Sequence, residues 1–391
     1  MAHVLVLNAG SSSLKFGLFS NAPEPQALAS GQVERIGSTP RLKLKDAAGE
    51  TLAAAELDTA GQDHAAALIA VLGALETHFP GARIGAVGHR VVHGGLKFTA
   101  PVALTPEVIA RLETLIPFAP LHQPHNLAGV RAAIAAFPEA RQIACFDTAF
   151  HRNHPFVNDT FALPRAFYDK GVRRYGFHGL SYEYIAGHLA ATAPDLFAGR
   201  VVVAHLGNGA SMCGMKAGRS IASSMGFTAL DGLPMGTRSG QIDPGVVLYL
   251  IEQEGLSPAE VTEMLYKRSG LLGLSGISHD MRQLLASDDP AARQAIEYFT
   301  FRIRRELGGL AAALGGLDAL VFTGGIGENA APIRAEVCAG MDWIGITLDA
   351  AANAGGANQS RARRISTGDS PVQVLVLPTN EELVIARATA S

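Results

Sequence analysis

Two arginines, an aspartate and a histidine stand in settings that call for chemistry. Arg90 lies in GHRVVHGG, inside an apolar run predicted to be a buried strand. A guanidinium there needs an anionic partner, either a structural carboxylate or a bound ligand. Arg238 lies in the loop PMGTRSG, and His178 sits among glycine and aromatics in RRYGFHGLSY. Asp147 follows the strand Arg141–Phe146, where α/β folds place ligand-binding groups. Together these residue types suit phosphoryl transfer. Charge spreads over the equatorial oxygens of the moving group, and guanidinium and imidazole donors can hold it. Each also has a structural reading: a salt bridge for Arg90, a helix cap for Asp147, a hydrogen-bonded core ring for His178. Thr379 and Glu382 have capping-box spacing, which leaves Glu381 facing a cleft or solvent as a hard oxygen ligand for Mg²⁺. His122, between prolines in APLHQPHN, is expected in a rigid loop that forms one wall of a small-molecule pocket or a surface turn.

Three glycine turns follow predicted strands: Asn8-Ala-Gly-Ser-Ser-Ser, Gly207-Asn-Gly-Ala-Ser and Gly324-Gly-Ile-Gly-Glu-Asn. Backbone N–H groups in such turns can close around phosphate oxygens. The third turn leads into a helix, whose N-terminus adds a favourable dipole. The first two belong to a repeated hairpin, VLVLNAGSSSLKFGLF and VVVAHLGNGASMCGM, in which superposing Gly10 on Gly207 also brings Gly17 onto Gly214. The repeat predicts two duplicated α/β halves with a polyphosphate cleft between them. No GxxxxGK[ST] occurs, which excludes a P-loop.

The elements that must position these residues read clearly. Continuous Val, Leu and Ile runs predict strands at Val4–Leu7, Leu14–Phe19, Ile84–Val92, Arg141–Phe146, Val201–Leu206, Ala319–Thr323 and Val372–Leu377. Thr105-Pro106 and Ser257-Pro258 predict helix starts, and Ser257 with Glu260 predicts a capping box. Apolar residues at 296, 299, 303, 307, 310 and 314 predict one long amphipathic helix from Pro290 to Leu314. The stretch from Ala149 to Pro164 is expected to cross between halves, and Ala350 to Arg364 to be a solvated loop. At 391 residues, 48% hydrophobic and 17% charged, the chain has room for two cores. A net charge of −3 gives no support for a nucleic-acid partner. Three separated cysteines argue against disulfides, and a cytoplasmic protein is expected. The chain enters its first predicted strand at once, so no signal peptide is expected, and no apolar run reaches membrane length.

With these residues assembled, the chain resembles the acetate kinase family along nearly its whole length. VLVLNAGSSSLKF, GHRVVHGG, PLHQPHN, FDTAFH, RRYGFHG, AHLGNGAS, MGFTALDGLPMGTRSG, FTGGIGENA and PTNEEL match family motifs in order. The resemblance implies two duplicated actin-like (ribonuclease H-like) α/β domains with a nucleotide cleft between them. It divides the chain into 1–150 completed by 380–391, and 151–379. It implies reversible exchange of ATP plus acetate with ADP plus acetyl phosphate, Mg²⁺ (with Mn²⁺ as an alternative), and a homodimer. By position, Arg90 and Arg238 correspond to substrate-binding and phosphoryl-stabilising arginines, His178 to a transition-state-stabilising histidine and Asp147 to a catalytic aspartate. Asn8 and Glu381 correspond to metal-site residues. Nucleotide contacts are implied for Ser11, Ser13 and Lys15, for His205, Leu206, Gly207, Asn208 and Gly209, and for Asp280, Met281 and Arg282. The same holds for Gly325, Ile326, Gly327, Glu328 and Asn329. Val92, Leu121, Phe177 and Ala229 fall at acyl-pocket positions, with His122 beside them.

The chain departs from the family pattern in places. Ala229 stands where proline is usual, which predicts a looser acyl pocket and propionate as a side substrate, since one methylene is worth only about 1–3 kcal/mol. Ala222 and Gln241 replace common aspartates, and Leu180 and Tyr182 replace common threonine and histidine. The rival readings are a propionate or butyrate kinase, a sugar kinase needing a base and a polar pocket, and a non-catalytic ATP-dependent clamp.

Overall fold

The computed structural model describes residues 2–10, 12–57, 63–355 and 362–390. Two compact units emerge, one comprising Met1–Arg152 with Asn380–Ser391 and the other Asn153–Thr379.

The first unit is built on an eight-stranded sheet. Its strands are β1 (Ala2–Ala9), β2 (Ser13–Ser20), β3 (Ala27–Glu34), β4 (Arg41–Asp46), β5 (Thr51–Glu56), β6 (Arg83–Val91), β7 (Val102–Ala103) and β8 (Arg141–Phe146), in the order β5-β4-β3-β2-β1-β6-β8-β7. β1 and β2 form the expected antiparallel hairpin, while β1, β6 and β8 run parallel. Leu5, Leu7, Phe16, Leu18 and Leu44 pack with Leu68, Val71 and Leu75 of the helix His64–His78. The terminal helix Glu381–Thr389 packs against β1, β6 and β8. Gly88 makes this approach possible: a Cβ there would lie 2.4 Å from Thr389 Oγ1 and 2.5 Å from the Ile385 Cγ2 methyl.

The second unit carries a six-stranded sheet of β9 (Arg200–Leu206), β10 (Ala210–Lys216), β11 (Arg219–Ser223), β12 (Ala319–Thr323), β13 (Arg363–Arg364) and β14 (Gln373–Val376), in the order β11-β10-β9-β12-β14-β13. Directions repeat those of the first sheet. β11, β10 and β9 are antiparallel, and β9, β12 and β14 are parallel. The two hairpins also share a feature of register, since Gly17 faces Val6 and Gly214 faces Val202. The helix Pro290–Leu314 buries Ile296, Phe299, Ile303, Leu307, Leu310 and Leu314, as its periodicity predicts. Ser257 and Glu260 form the reciprocal capping box.

Three expectations are corrected. PLHQPHN is not a loop: His122 is the N-cap of the helix Gln123–Ala136, whose first turn accommodates Pro124. The last helix is capped by Asn380, whose side chain accepts from the Leu383 N–H at 2.9 Å, and not by Thr379. The Thr379 N–H instead donates to Glu328 at 3.3 Å. The stretch from Ala149 to Pro164, within which the division between the units falls, is not one of these; it holds a 3₁₀ turn, Ala149–His151, and a short helix, Phe156–Asp159. Within Ala350 to Arg364, the described part contains the helix Ala350–Ala354 and β13.

Candidate active site

In the first unit, strand order gathers the candidates along the edge formed by the carboxyl ends of the central parallel strands β1, β6 and β8. Asn8 on β1 pairs with Lys15 on β2, Leu7 pairs with His89 on β6, and Arg90 pairs with Cys145 on β8. Asp147 follows β8, and Glu381 opens the terminal helix. Arg90 is the hub. Its Nε and Nη2 donate to the two oxygens of Asp147 at 2.9 and 2.5 Å, and its Nη1 donates to Asn8 Oδ1 at 3.2 Å. Glu381 Oε2 lies 3.9 Å from Arg90 Nε. Asp147 therefore does not cap the following turn. Glu381 does not stand idle either, since it faces the guanidinium.

The electrostatics follow from this crowding. Burial opposes charge on Arg90, yet Asp147, then Glu381 and Glu382, hold its pKa above the ordinary value. Burial pushes Glu381 up to about 7. Asp147 and Glu382 add to that rise, while Arg90 and Lys15 oppose it. Negative charge exceeds the local cations, which is the condition that a bound metal relieves.

The chain around this edge is fixed by two buried amides that sequence reading missed. Asn126 accepts from the Val92 N–H at 2.9 Å and donates to Ala9 O at 2.6 Å. Gln123 accepts from the His93 N–H and donates to its carbonyl. Both lie in PLHQPHN, three residues apart on the buried side of one helical turn. Buried Val92 and half-buried Leu121 belong to this unit, and buried Phe177 and half-buried Ala229 to the other. Ser11 lies outside the described residues. The carbonyl of Ser13 accepts from the Gly10 N–H at 2.8 Å, so that donor is spent on the turn itself. Gly207 does the same with the carbonyl of Gly209 at 3.0 Å.

In the second unit, His178 adopts a left-handed backbone with φ 57° at the start of the helix Gly179–Thr192. Such a conformation costs a non-glycine residue about 1 kcal/mol or more and marks functional sites. Its Nδ1 meets Ser211 Oγ at 2.8 Å, and Ser211 Oγ meets the Tyr182 hydroxyl at 2.5 Å. His205 stacks on His178 with centroids 4.3 Å apart, its own Nδ1 at 2.8 Å from Ser181 Oγ. Gly209 lies beside the Nε2 edge of the His178 ring, where a Cβ would sit in ordinary contact at 3.4 Å. Arg238 Nη1 donates to the backbone carbonyl of Ala229 at 3.0 Å and lies 3.5 Å from Met235 Sδ.

A cavity of about 610 Å³ opens in the same unit, lined by Gly207, Asn208, Asp280, Met281, Arg282, Gly325, Ile326 and Asn329 among others. This size suits a small-molecule ligand. Asp280 caps the helix Met281–Leu285 and is held by Arg282 and by that residue's backbone, which takes its pKa down to about 2. Not every expected nucleotide contact faces this space. Leu206 is fully buried. Glu328 turns its carboxylate back to the Gly324 N–H at 2.9 Å. The carbonyls of Gly327 and Glu328 accept from buried Arg334 at 2.9 and 3.0 Å. Arg334 is a second omission of the sequence reading; its remaining bonds end on Asn353.

Among the described residues no three His, Cys, Asp or Glu side chains gather into a metal cage. Around Arg90, whose guanidinium occupies both Asp147 oxygens, the hard oxygens that could meet a metal are those of Asn8 and Glu381. That fits Mg²⁺, which takes one or two carboxylates and fills its shell with water and substrate phosphates.

Comparison with known proteins gives a consistent result. The model of the acetokinase family matches residues 3–387. The acetate kinase of Methylocella silvestris is 57% identical over 397 residues, covering 99% of this chain and 96% of its own. Among solved structures, Porphyromonas gingivalis acetate kinase is 43% identical with a TM-score of 0.87, covering 99% of this chain and 98% of that one. A propionate kinase from Francisella tularensis is 38% identical with a TM-score of 0.90, covering 100% and 99%.

Proposed function

The chain belongs to the acetokinase family, and from that we infer that it transfers the γ-phosphoryl group of ATP to acetate, reversibly, giving ADP and acetyl phosphate. It is a phosphotransferase acting on a short-chain carboxylate. The observation that carries the reading is Arg90: a guanidinium in a strand, gripped by both oxygens of Asp147 and facing Asn8 and Glu381.

The chemistry makes sense of that arrangement. A carboxylic acid with a pKa of about 4 is already ionised at neutral pH, so the nucleophile needs no base. The obstacle is repulsion. Two unit negative charges 4 Å apart repel by about 4 kcal/mol at an effective dielectric of 20. Arg90 binds the carboxylate and the transferring group. Arg238 neutralises charge on the equatorial oxygens, and His178 donates a hydrogen bond to one of them. Asp147 orients Arg90, because both its oxygens are already occupied by that guanidinium. Asn8 and Glu381 would hold Mg²⁺ or Mn²⁺, which when bound neutralises phosphate charge. The 610 Å³ cavity, with Asp280-Met281-Arg282 on one side and Gly325-Ile326 on another, takes the nucleoside. The shared strand order of the two sheets supports descent from one duplicated actin-like unit.

Acetate is favoured over propionate by Val92 and by the 57% identical relative named as an acetate kinase. Ala229 makes propionate a side substrate. Trapping acyl phosphate with hydroxylamine tests this across C2, C3 and C4 acids. Hydroxamate with acetate at the highest kcat/KM is expected; none with any short acid would leave a non-catalytic clamp.

A homodimer is part of the reading. The helix Pro244–Glu252 presents Val246, Val247, Leu248, Tyr249, Leu250 and Ile251, and none is buried within the chain. A contiguous apolar surface of this kind marks an interaction site. Among the described residues no helix is long and apolar enough to cross a membrane, and the buried thiols of Cys145, Cys213 and Cys338 suit a reducing cytoplasm.

A further inference from the structure

We propose that Tyr182 and Ser211 form a relay that fixes His178 as the tautomer carrying its proton on Nε2. The proposal rests on the reading of His178 as a donor to the phosphoryl group. Tyr182 and Ser211 are positioning residues in it.

Three observations converge. First, the chain of contacts is continuous: Tyr182 hydroxyl to Ser211 Oγ, and Ser211 Oγ to His178 Nδ1 at 2.8 Å. Second, Tyr182 and Ser211 are both 0% exposed, so their hydroxyls sit where bulk water does not compete. Third, His178 is held in a left-handed conformation that its neighbours must stabilise.

The direction of the relay follows from acidity. A phenol, with a pKa of about 10, is a better donor than an aliphatic hydroxyl. Tyr182 O–H therefore donates to Ser211 Oγ. A serine hydroxyl has one proton and two lone pairs; with Tyr182 donating, the partner left among the described residues to accept that buried proton is His178 Nδ1, and leaving it unpaired costs about 1–3 kcal/mol. Nδ1 is then an acceptor, and in the neutral ring the N–H lies on Nε2. That nitrogen is the ring atom nearest Gly209 of the glycine turn. The opposite tautomer would turn a lone pair toward a phosphoryl oxygen and repel it. The neighbouring ring is held alike, with His205 Nδ1 on Ser181 Oγ, and Ser181 and Tyr182 are consecutive residues of one helical turn.

Nitrogen-15 NMR of the histidine-labelled full chain tests this. His178 is assigned by the signals lost in His178→Ala, and the spectra are paired with steady-state kinetics. The wild-type ring is expected to show Nδ1 without a proton and Nε2 with one. Tyr182→Phe is expected to give a mixture of tautomers and a kcat reduced by about tenfold, with KM for ATP and acetate within about twofold. Ser211→Ala is expected to lose at least as much kcat, and Ser211→Thr, which keeps the hydroxyl, to restore most of it. A protonated Nδ1 in the wild type, or a Tyr182→Phe enzyme with unchanged tautomer and kcat, overturns the relay. A loss of kcat in Ser211→Ala that Ser211→Thr fails to recover also counts against it. His178→Ala separates the two claims: full activity there sinks the donor role of His178, while the nitrogen spectrum still judges the relay.

Discussion

Asp147 is the residue whose role the structure narrows most. Its carboxylate is buried and both oxygens are taken by Arg90. Asp147→Asn should therefore lower kcat/KM for acetate by about a hundredfold or more while leaving the shape of the pH–rate profile unchanged. A variant that simply lost one basic limb, with metal affinity intact, would make Asp147 a base after all. His89, one residue from Arg90, makes a separate prediction for stability. Burial pushes its pKa down to about 4, against the hydrogen bond that its Nε2–H donates to Gln142 Oε1, which favours the charged form. The folded pKa lies below the unfolded value of about 6.5. The contribution is therefore complete above pH 6.5 and is lost as pH falls toward 4, amounting to about 3 kcal/mol. Urea unfolding of wild type and His89→Gln at pH 7.5 and 4.5 should show a smaller acid loss in the variant. Equal losses would mean that His89 titrates as an exposed ring. At this scale sequence reading succeeded where a residue type clashed with its setting, as with Arg90 in an apolar strand. It failed for Ser211, Asn126 and Arg334, whose partners lie 33, 34 and 19 residues away. Nothing local marks a polar residue whose partner is supplied by another element.

At the scale of elements, the terminal helix brings Glu381 to Arg90, and it can do so because Gly88 has no side chain. Gly88→Val should push Ile385 and Thr389 outward and cost about 1–3 kcal/mol. Activity should fall more than nucleotide affinity, since the cavity proposed for the nucleoside is lined by the other unit. Chemical denaturation together with nucleotide titration checks this, and a stable variant with full activity would show that the helix tolerates displacement. Strands were legible because their apolar runs are continuous, and β8 and β12 match their predicted bounds to the residue. Helix starts were less so. Pro124 reads as a loop signal unless the chain is known to turn helical at Gln123. The cap of the last helix is Asn380 and not Thr379, whose N–H goes instead to Glu328 of the distant helix Gly324–Asn329.

At the scale of the whole molecule, the proposed catalytic groups are divided between the units: Arg90, Asp147, Asn8 and Glu381 in one, Arg238 and His178 in the other. The repeated hairpin made this two-part organisation visible in the sequence, since each sheet grows from one copy. The apolar helix Pro244–Glu252 was not recognised beforehand, because a run such as Val-Val-Leu-Tyr-Leu-Ile reads equally as core. Leu248→Glu should convert a dimer to monomers in sedimentation velocity, as a charge replaces a side chain that is 54% exposed within the chain. An unchanged sedimentation coefficient would place the dimer contact elsewhere.

The central claim is that Arg90 and Arg238 act on one transferring phosphoryl group. A double-mutant cycle on kcat/KM for acetate, with Arg90→Ala, Arg238→Ala and the pair, tests it most directly. Coupling of at least about 1.4 kcal/mol, a tenfold departure from additivity, is the predicted result. Losses that add within about 0.5 kcal/mol would contradict it, because residues serving separate events show no such coupling.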